Sequence, residues 1–171
     1  MKKWRIWILA AAMVLCGCGG EEAPVFETLG GDALVPGEKP VAGIIHLNIP
    51  ENAVSEAMSD PAGGELYTWD GNTLQLQTLD AGDIRLTVET LTGMEYEDLT
   101  VMSWKKENMT YYRTVWSTAG EEGVLLGQAL IADDGFYHYC VSLLSPETSD
   151  ARGLYERLLA SFAVMSVDEV K

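Results

Sequence analysis

Basic residues are scarce in this chain: 11 lysines and arginines stand against 26 aspartates and glutamates, a formal charge of −15 over 171 residues. A negative field of this size repels nucleic acid and anionic lipid headgroups, which excludes both as electrostatic partners. Cysteine is equally sparse, and two of the three, Cys16 and Cys18, sit together near the N-terminus. Only Cys140 remains in the body of the chain, so no internal disulfide is possible there and the fold must rest on packing. The nucleophile elbow Gly-x-Ser-x-Gly, the metal-binding His-Glu-x-x-His and the phosphate-binding glycine loop are all missing, and the reaction classes they serve lose their usual evidence. Neither a stop-transfer helix nor an internal repeat is visible.

The strongest signal that is present lies at the start. Lys2, Lys3 and Arg5 precede a short apolar run from Ile6 to Leu15, and Leu15-Cys16-Gly17-Cys18 follows directly. The basic end favours the cytoplasmic side, the run is too short to stay in the bilayer as a helix, and small residues at its end admit a peptidase. This segment resembles the bacterial lipobox, in which cleavage occurs before a cysteine already thioether-linked to diacylglycerol. The resemblance implies lipid attachment at Cys18. Cleavage before Cys16 would put bulky Leu15 at the preceding position, where the family has a small residue, whereas cleavage before Cys18 puts Gly17 there. Residues 1–17 are then a signal peptide, and the mature chain of 154 residues keeps eight basic residues against the 26 acids, a balance of −18. That length suits one ordinary domain with a real core. Two or three acyl chains on one cysteine suffice for stable anchoring, so the expected location is the extracytoplasmic face of the cell membrane.

From residue 18 to about Val41 the chain is rich in Gly, Glu and Pro, and its low apolar content predicts a flexible tether ahead of a single domain over residues 42–171. Ile44, Ile45, Leu47 and Ile49 predict a first strand. Leu66 to Trp69 and Leu74 to Leu79 flank Asp70-Gly71-Asn72, whose Asp-Gly pair supplies the positive φ values of a tight hairpin. Asp80-Ala81-Gly82-Asp83 reads as another turn, and Ile84, Leu86 and Val88 alternating with Arg85, Thr87 and Glu89 read as a strand near a sheet edge. Thr92 to Glu107 fits either element, with the weight on a helix. Tyr111 to Ser117 predicts a strand, and Val124 to Ala132 and Phe136 to Leu144 form a second hairpin about Asp133-Asp134-Gly135. The Val124 strand is apolar on both faces and therefore belongs in mid-sheet. Ser145-Pro146-Glu147 reads as an N-cap, a first-turn proline and a dipole-matched acid, ahead of a helix whose stripe is Leu154, Tyr155, Leu158, Leu159 and Phe162. Together these elements predict an α+β fold, mainly an antiparallel sheet of about six to seven strands with a C-terminal helix packed on it.

The order of elements, with Leu47-Asn48-Ile49-Pro50 at the first strand, Trp69-Asp70-Gly71 at the hairpin, and Tyr139 to Leu144 ahead of a helix ending Ala160-Ser161-Phe162, resembles the PsbP-like superfamily, which includes exported DcrB-type bacterial lipoproteins. The likeness covers about residues 43–165. It implies an αβα sandwich with a helix between the early and late strands, for which Thr92 to Glu107 is the segment available. It also implies an accessory role in binding or assembly and carries no functional residue across.

Candidate chemistry is thin. His138 and Cys140 lie two apart on one strand and share a face, so imidazole and thiolate are in place for zinc or for a thiol nucleophile with its base. Zinc needs further ligands, which here would have to be Asp133, Asp134 or the distant His46, and a buried thiol beside a hydrogen-bonded histidine is the simpler reading. The acid pairs Glu97-Asp98, Glu121-Glu122 and Asp133-Asp134 read as solvated turn residues. Trp104, Tyr111, Tyr112, Trp116, Phe136, Tyr137 and Tyr139 crowd the second half, either as cross-strand packing or as a platform for a sugar or peptide, with packing preferred. Asn108-Met109-Thr110 is a formal glycosylation triplet that has no meaning in a bacterial lipoprotein. The expected function is therefore that of a non-catalytic, cofactor-free envelope lipoprotein that binds or helps assemble another envelope protein; the alternative is a surface protein that binds a small ligand or metal.

Overall fold

In the computed structural model, residues 39–57, 64–121, 123–147 and 150–167 are described. The expected signal peptide, Cys18, the expected tether up to Glu38 and most of the Asp60 to Gly64 loop lie outside them. An antiparallel sheet of seven strands organises these residues. Five of its strands are β2 (Val54–Ala57), β3 (Glu65–Trp69), β4 (Asn72–Asp80), β5 (Val101–Lys106) and β6 (Met109–Gly120). The other two are β7 (Gly123–Asp133) and β8 (Tyr137–Pro146), and the spatial order is β2-β3-β4-β8-β7-β6-β5. β1 (Ile44–His46) does not join this sheet but pairs with β9 (Ala163–Met165) in a separate two-stranded ribbon.

Both expected hairpins are present. Asp70 and Gly71 have φ of 44° and 76°, the mirror-image turn that suits strand twist, and Gly135 closes the second with φ of 89°. β8 then inserts between β4 and β7, pairing Leu76 with Val141 on one side and Leu130 with Val141 on the other. β7 is mid-sheet as expected, and it is fully buried only from Gly127 to Ala132. Earlier in that strand, Val124 is exposed.

The segment read as an edge strand is instead helix α1 (Ile84–Thr92). Asp83 caps it, accepting from the Arg85 N–H at 3.0 Å, and Gly93 ends it in the left-handed conformation at φ 69°. Ile84, Val88 and Leu91 recur at helical spacing and pack inward, while Leu86 points to solvent, so the apparent period of two came from one exposed leucine. α1 is the helix the resemblance implies between early and late strands. Thr92 to Glu107, expected to be helical, holds only a turn of 3₁₀ helix at Tyr96–Asp98 before β5 begins. Ser145 and Pro146 are the last residues of β8 and do not start a helix. The C-terminal helix α2 (Ala151–Leu159) begins at Asp150, whose carboxylate bonds Arg157 at 2.7 Å instead of capping the backbone.

Two cores result, one on each face of the sheet. On the first face α1 packs Val88 and Leu91 over Ile131 and Cys140, with Leu79, Leu99 and Tyr112 around them. On the second face Tyr155 and Leu158 of α2, with Leu47, cover Leu74, Leu76, Val141 and Leu143. The ribbon is fastened to the second face by Tyr139, whose hydroxyl accepts from the Gly43 N–H at 3.0 Å, and by Tyr137, which donates to Pro40 O at 2.7 Å. The outcome is an αβα sandwich.

Candidate functional site

His138 and Cys140 share the first face, as expected, and both are enclosed beneath α1. Thr87 of α1 reaches down to His138, its Oγ1 lying 2.9 Å from Nδ1. The other ring nitrogen, Nε2, is 3.9 Å from Asp133 Oδ2. Burial holds the His138 pKa below its ordinary value, with Asp133 and Asp134 opposing, and a neutral ring bonded to a threonine is the arrangement that results. Burial likewise pushes the Cys140 thiol up to about 12, so almost no thiolate is available to attack a substrate or hold a metal. Its Sγ bonds the His138 carbonyl at 3.6 Å, not the imidazole. His46 lies on exposed β1 in the ribbon against the opposite face, so the two histidines are not brought together.

The neighbouring acids are already engaged. Asp133 Oδ1 accepts from the Gly135 N–H at 2.7 Å, and Asp134 Oδ1 accepts from the backbone of Phe136 and Tyr137. Asp134 Oδ2 takes the Tyr139 hydroxyl at 2.9 Å. These are turn-closing contacts of the kind Asp favours. A cluster not evident from spacing brings one oxygen each of Glu89, Glu95 and Glu97 within 4.8 Å of one another, at the junction of α1 and the 3₁₀ turn. Two of the three have partners: Glu97 pairs with Arg85 at 2.5 Å, and Glu89 accepts from the Tyr96 N–H at 3.0 Å.

The aromatic residues do not form one platform. Tyr112 and Trp116 point to the first face, Trp116 lying flat across Gly127, where a Cβ would come 2.1 Å from the indole. Trp104 and Tyr111 point to the second face and stack at 5.4 Å. Tyr137 and Tyr139 serve the ribbon, and Phe136 is exposed at its turn.

What the sequence reading missed is an uncovered region of the second face. α2 covers β4 and β8 but stops short of β5, β6 and the start of β7, where Met102, Trp104, Val115 and Val124, all on this face, are between 42% and 53% exposed. A groove of about 600 Å³ runs here, with Met102, Val115 and Leu126 among its lining and Arg113 and Arg152 beside them. Arg113 is held in place: it bonds Glu156 at 2.9 Å and Gln128 at 3.4 Å, and its guanidinium sits 4.9 Å from the centre of the Tyr155 ring. The alternation of β6 carried the signal, since Val115 and Ser117 lie on the face opposite Thr114 and Trp116.

Strand order, the crossover through α1 and the helix-and-ribbon layer define a PsbP-like α+β fold. The solution structure of cyanobacterial PsbP, CyanoP, from Synechocystis sp. PCC 6803 aligns over 80% of this chain and 98% of its own, with a TM-score of 0.53 and 10% identity. A crystal structure of a protein from Bacteroides thetaiotaomicron VPI-5482 aligns over 72% of this chain and 46% of its own, with a TM-score of 0.47 and 13% identity. No family model and no curated protein matches the sequence. Among the described residues, no helix is long and apolar enough to cross a membrane.

Proposed function

We propose that this protein is a lipoprotein, anchored through Cys18 at the extracytoplasmic face of the cell membrane, whose domain binds or helps assemble another envelope component without catalysis. The observation that carries the binding role is the division of labour within the sheet. The residues with chemical potential, His138 and Cys140, are locked under α1 with a neutral ring and a protonated thiol, while the second face presents an open apolar groove. Such grooves of a few hundred Å³ are where proteins take up partners or ligands. Support for the location comes from the basic start, short apolar run and Gly17-Cys18 pair, and the PsbP-like fold suits an exported accessory module. Anchoring is tested by Cys18→Ala: the domain is expected to leave the membrane fraction or to persist as an uncleaved precursor. Unchanged retention at unchanged size overturns it.

A further inference from the structure

The uncovered part of the second face is apolar and unusually placed with respect to charge. Lys39, Arg85 and Arg157 are each consumed in ion pairs away from the groove, with Asp80, Glu97 and Asp150. Arg152 has no ion pair among the described residues, and it lines the groove together with the fixed Arg113. A chain of formal charge −15 thus presents two guanidinium groups at a broad patch of exposed Met, Val and Trp side chains. We propose that this groove binds an acidic–apolar peptide segment of a partner protein, its apolar side chains resting on Met102, Val115 and Leu126 and a carboxylate facing Arg152. The inference deepens the binding-module reading and rests on it.

Charge complementarity selects the occupant. A guanidinium presents a planar fork of donors that fits a carboxylate, and Arg113 is already oriented by Glu156 and Gln128, which leaves Arg152 as the group to be paired. The apolar surface continues beyond the groove through Val124 on β7 and Trp104 on β5, so it crosses three strands at about 4.8 Å spacing and calls for several separated side chains on one extended ligand. A second copy of this chain fits less well, because two whole bodies of formal charge −15 repel far more strongly than one such body and a short peptide with one or two carboxylates.

The test is selection of displayed random peptides on the full chain, immobilised through a tag after Lys171, at the end opposite Cys18, followed by affinity measurement with the selected peptides. The expected result is a consensus combining Asp or Glu with aliphatic or aromatic residues. Val115→Asp and Arg152→Glu should each weaken binding by about tenfold or more, while Leu86→Asp, on the solvent side of α1, changes nothing. Val115→Ala should weaken binding in the same direction by less, and serves if the aspartate disturbs the sheet. A consensus without carboxylates, or no enrichment at all, overturns the proposal. So does a concentration-dependent dimer that Val115→Asp dissolves, which would make a second copy the occupant. Peptides whose affinity is indifferent to both groove substitutions overturn this site while leaving the binding-module reading in place.

Discussion

The second face of the sheet is two surfaces in one. Over β4 and β8 it is sealed: Leu74, Val141 and Leu143 are buried beneath Tyr155 and Leu158, and Ile45 of the β1–β9 ribbon and Leu47 just after it add to the cover. Over β5 and β6, on the same face of the same sheet, Met102, Trp104 and Val115 stand about half exposed. Geometry explains the difference. Seven strands span about 29 Å, whereas a nine-residue helix is about 14 Å long and about 10 Å across, so α2 and a three-residue ribbon cannot cover the whole. The apolar character of β5 and β6 therefore exceeds what the fold uses, and that surplus is the feature on which the proposed peptide site rests.

The comparison breaks most sharply at Tyr155. Tyr155→Ala removes a fully enclosed ring from the sealed half and is expected to cost about 3–5 kcal/mol in urea unfolding, whereas Val115→Ala in the open half should stay within about 0.5 kcal/mol. Equal losses at the two sites would mean that the open half is covered in solution. The first face has its own sealing device in the Trp116 ring laid over Gly127. Gly127→Ala is expected to cost about 1–3 kcal/mol, because the new methyl must displace the indole, and Trp116→Leu in the same chain should return part of it.

A smaller effect concerns pH. Burial keeps the His138 pKa in the folded chain below its ordinary value of 6.5. As pH falls below about 6.5 the unfolded chain takes up a proton at this residue before the folded chain does, so stability present above that value is progressively lost on acidification. His138→Gln should flatten the unfolding free energy just below about pH 6.5 and leave it unchanged in slope above. An identical slope in both proteins would show that the ring is not held neutral by the fold.

Much of this architecture is legible in local sequence. The two hairpins follow from Asp70-Gly71 and from Asp133-Asp134-Gly135, since few other residues adopt the required backbone. α1 was misread although its end signals were present, Asp83 as cap and Gly93 beyond the last turn. The alternation of Ile84, Leu86 and Val88 outweighed them because a single exposed leucine imitates a strand. Ser145-Pro146 imitated a helix start, but Pro146, as the last residue of β8, still pairs with Leu125. β2 and β9 went unassigned, since three or four residues carry no periodicity to detect, and β5 lies in the segment whose weight was placed on a helix. At the candidate site, the reading of His138 and Cys140 as a buried thiol beside a hydrogen-bonded histidine matches the structure, and only the fold shows that α1 is what covers them. The groove was not legible, because nothing in β6 alone says which of its faces will be covered.

The sequence by itself determined the acidic balance, the N-terminal lipobox-like segment, the lone Cys140 in the body of the chain, and a predominantly antiparallel α+β domain. These depend on composition and on short-range backbone preference. Tertiary structure alone decided that β8 lies between β4 and β7, that Ile44–His46 leaves the main sheet to pair with Ala163–Met165, and that Arg113 and Arg152 flank an uncovered apolar surface. Those outcomes depend on contacts between residues tens of positions apart and on how far a short helix can reach across a wide sheet.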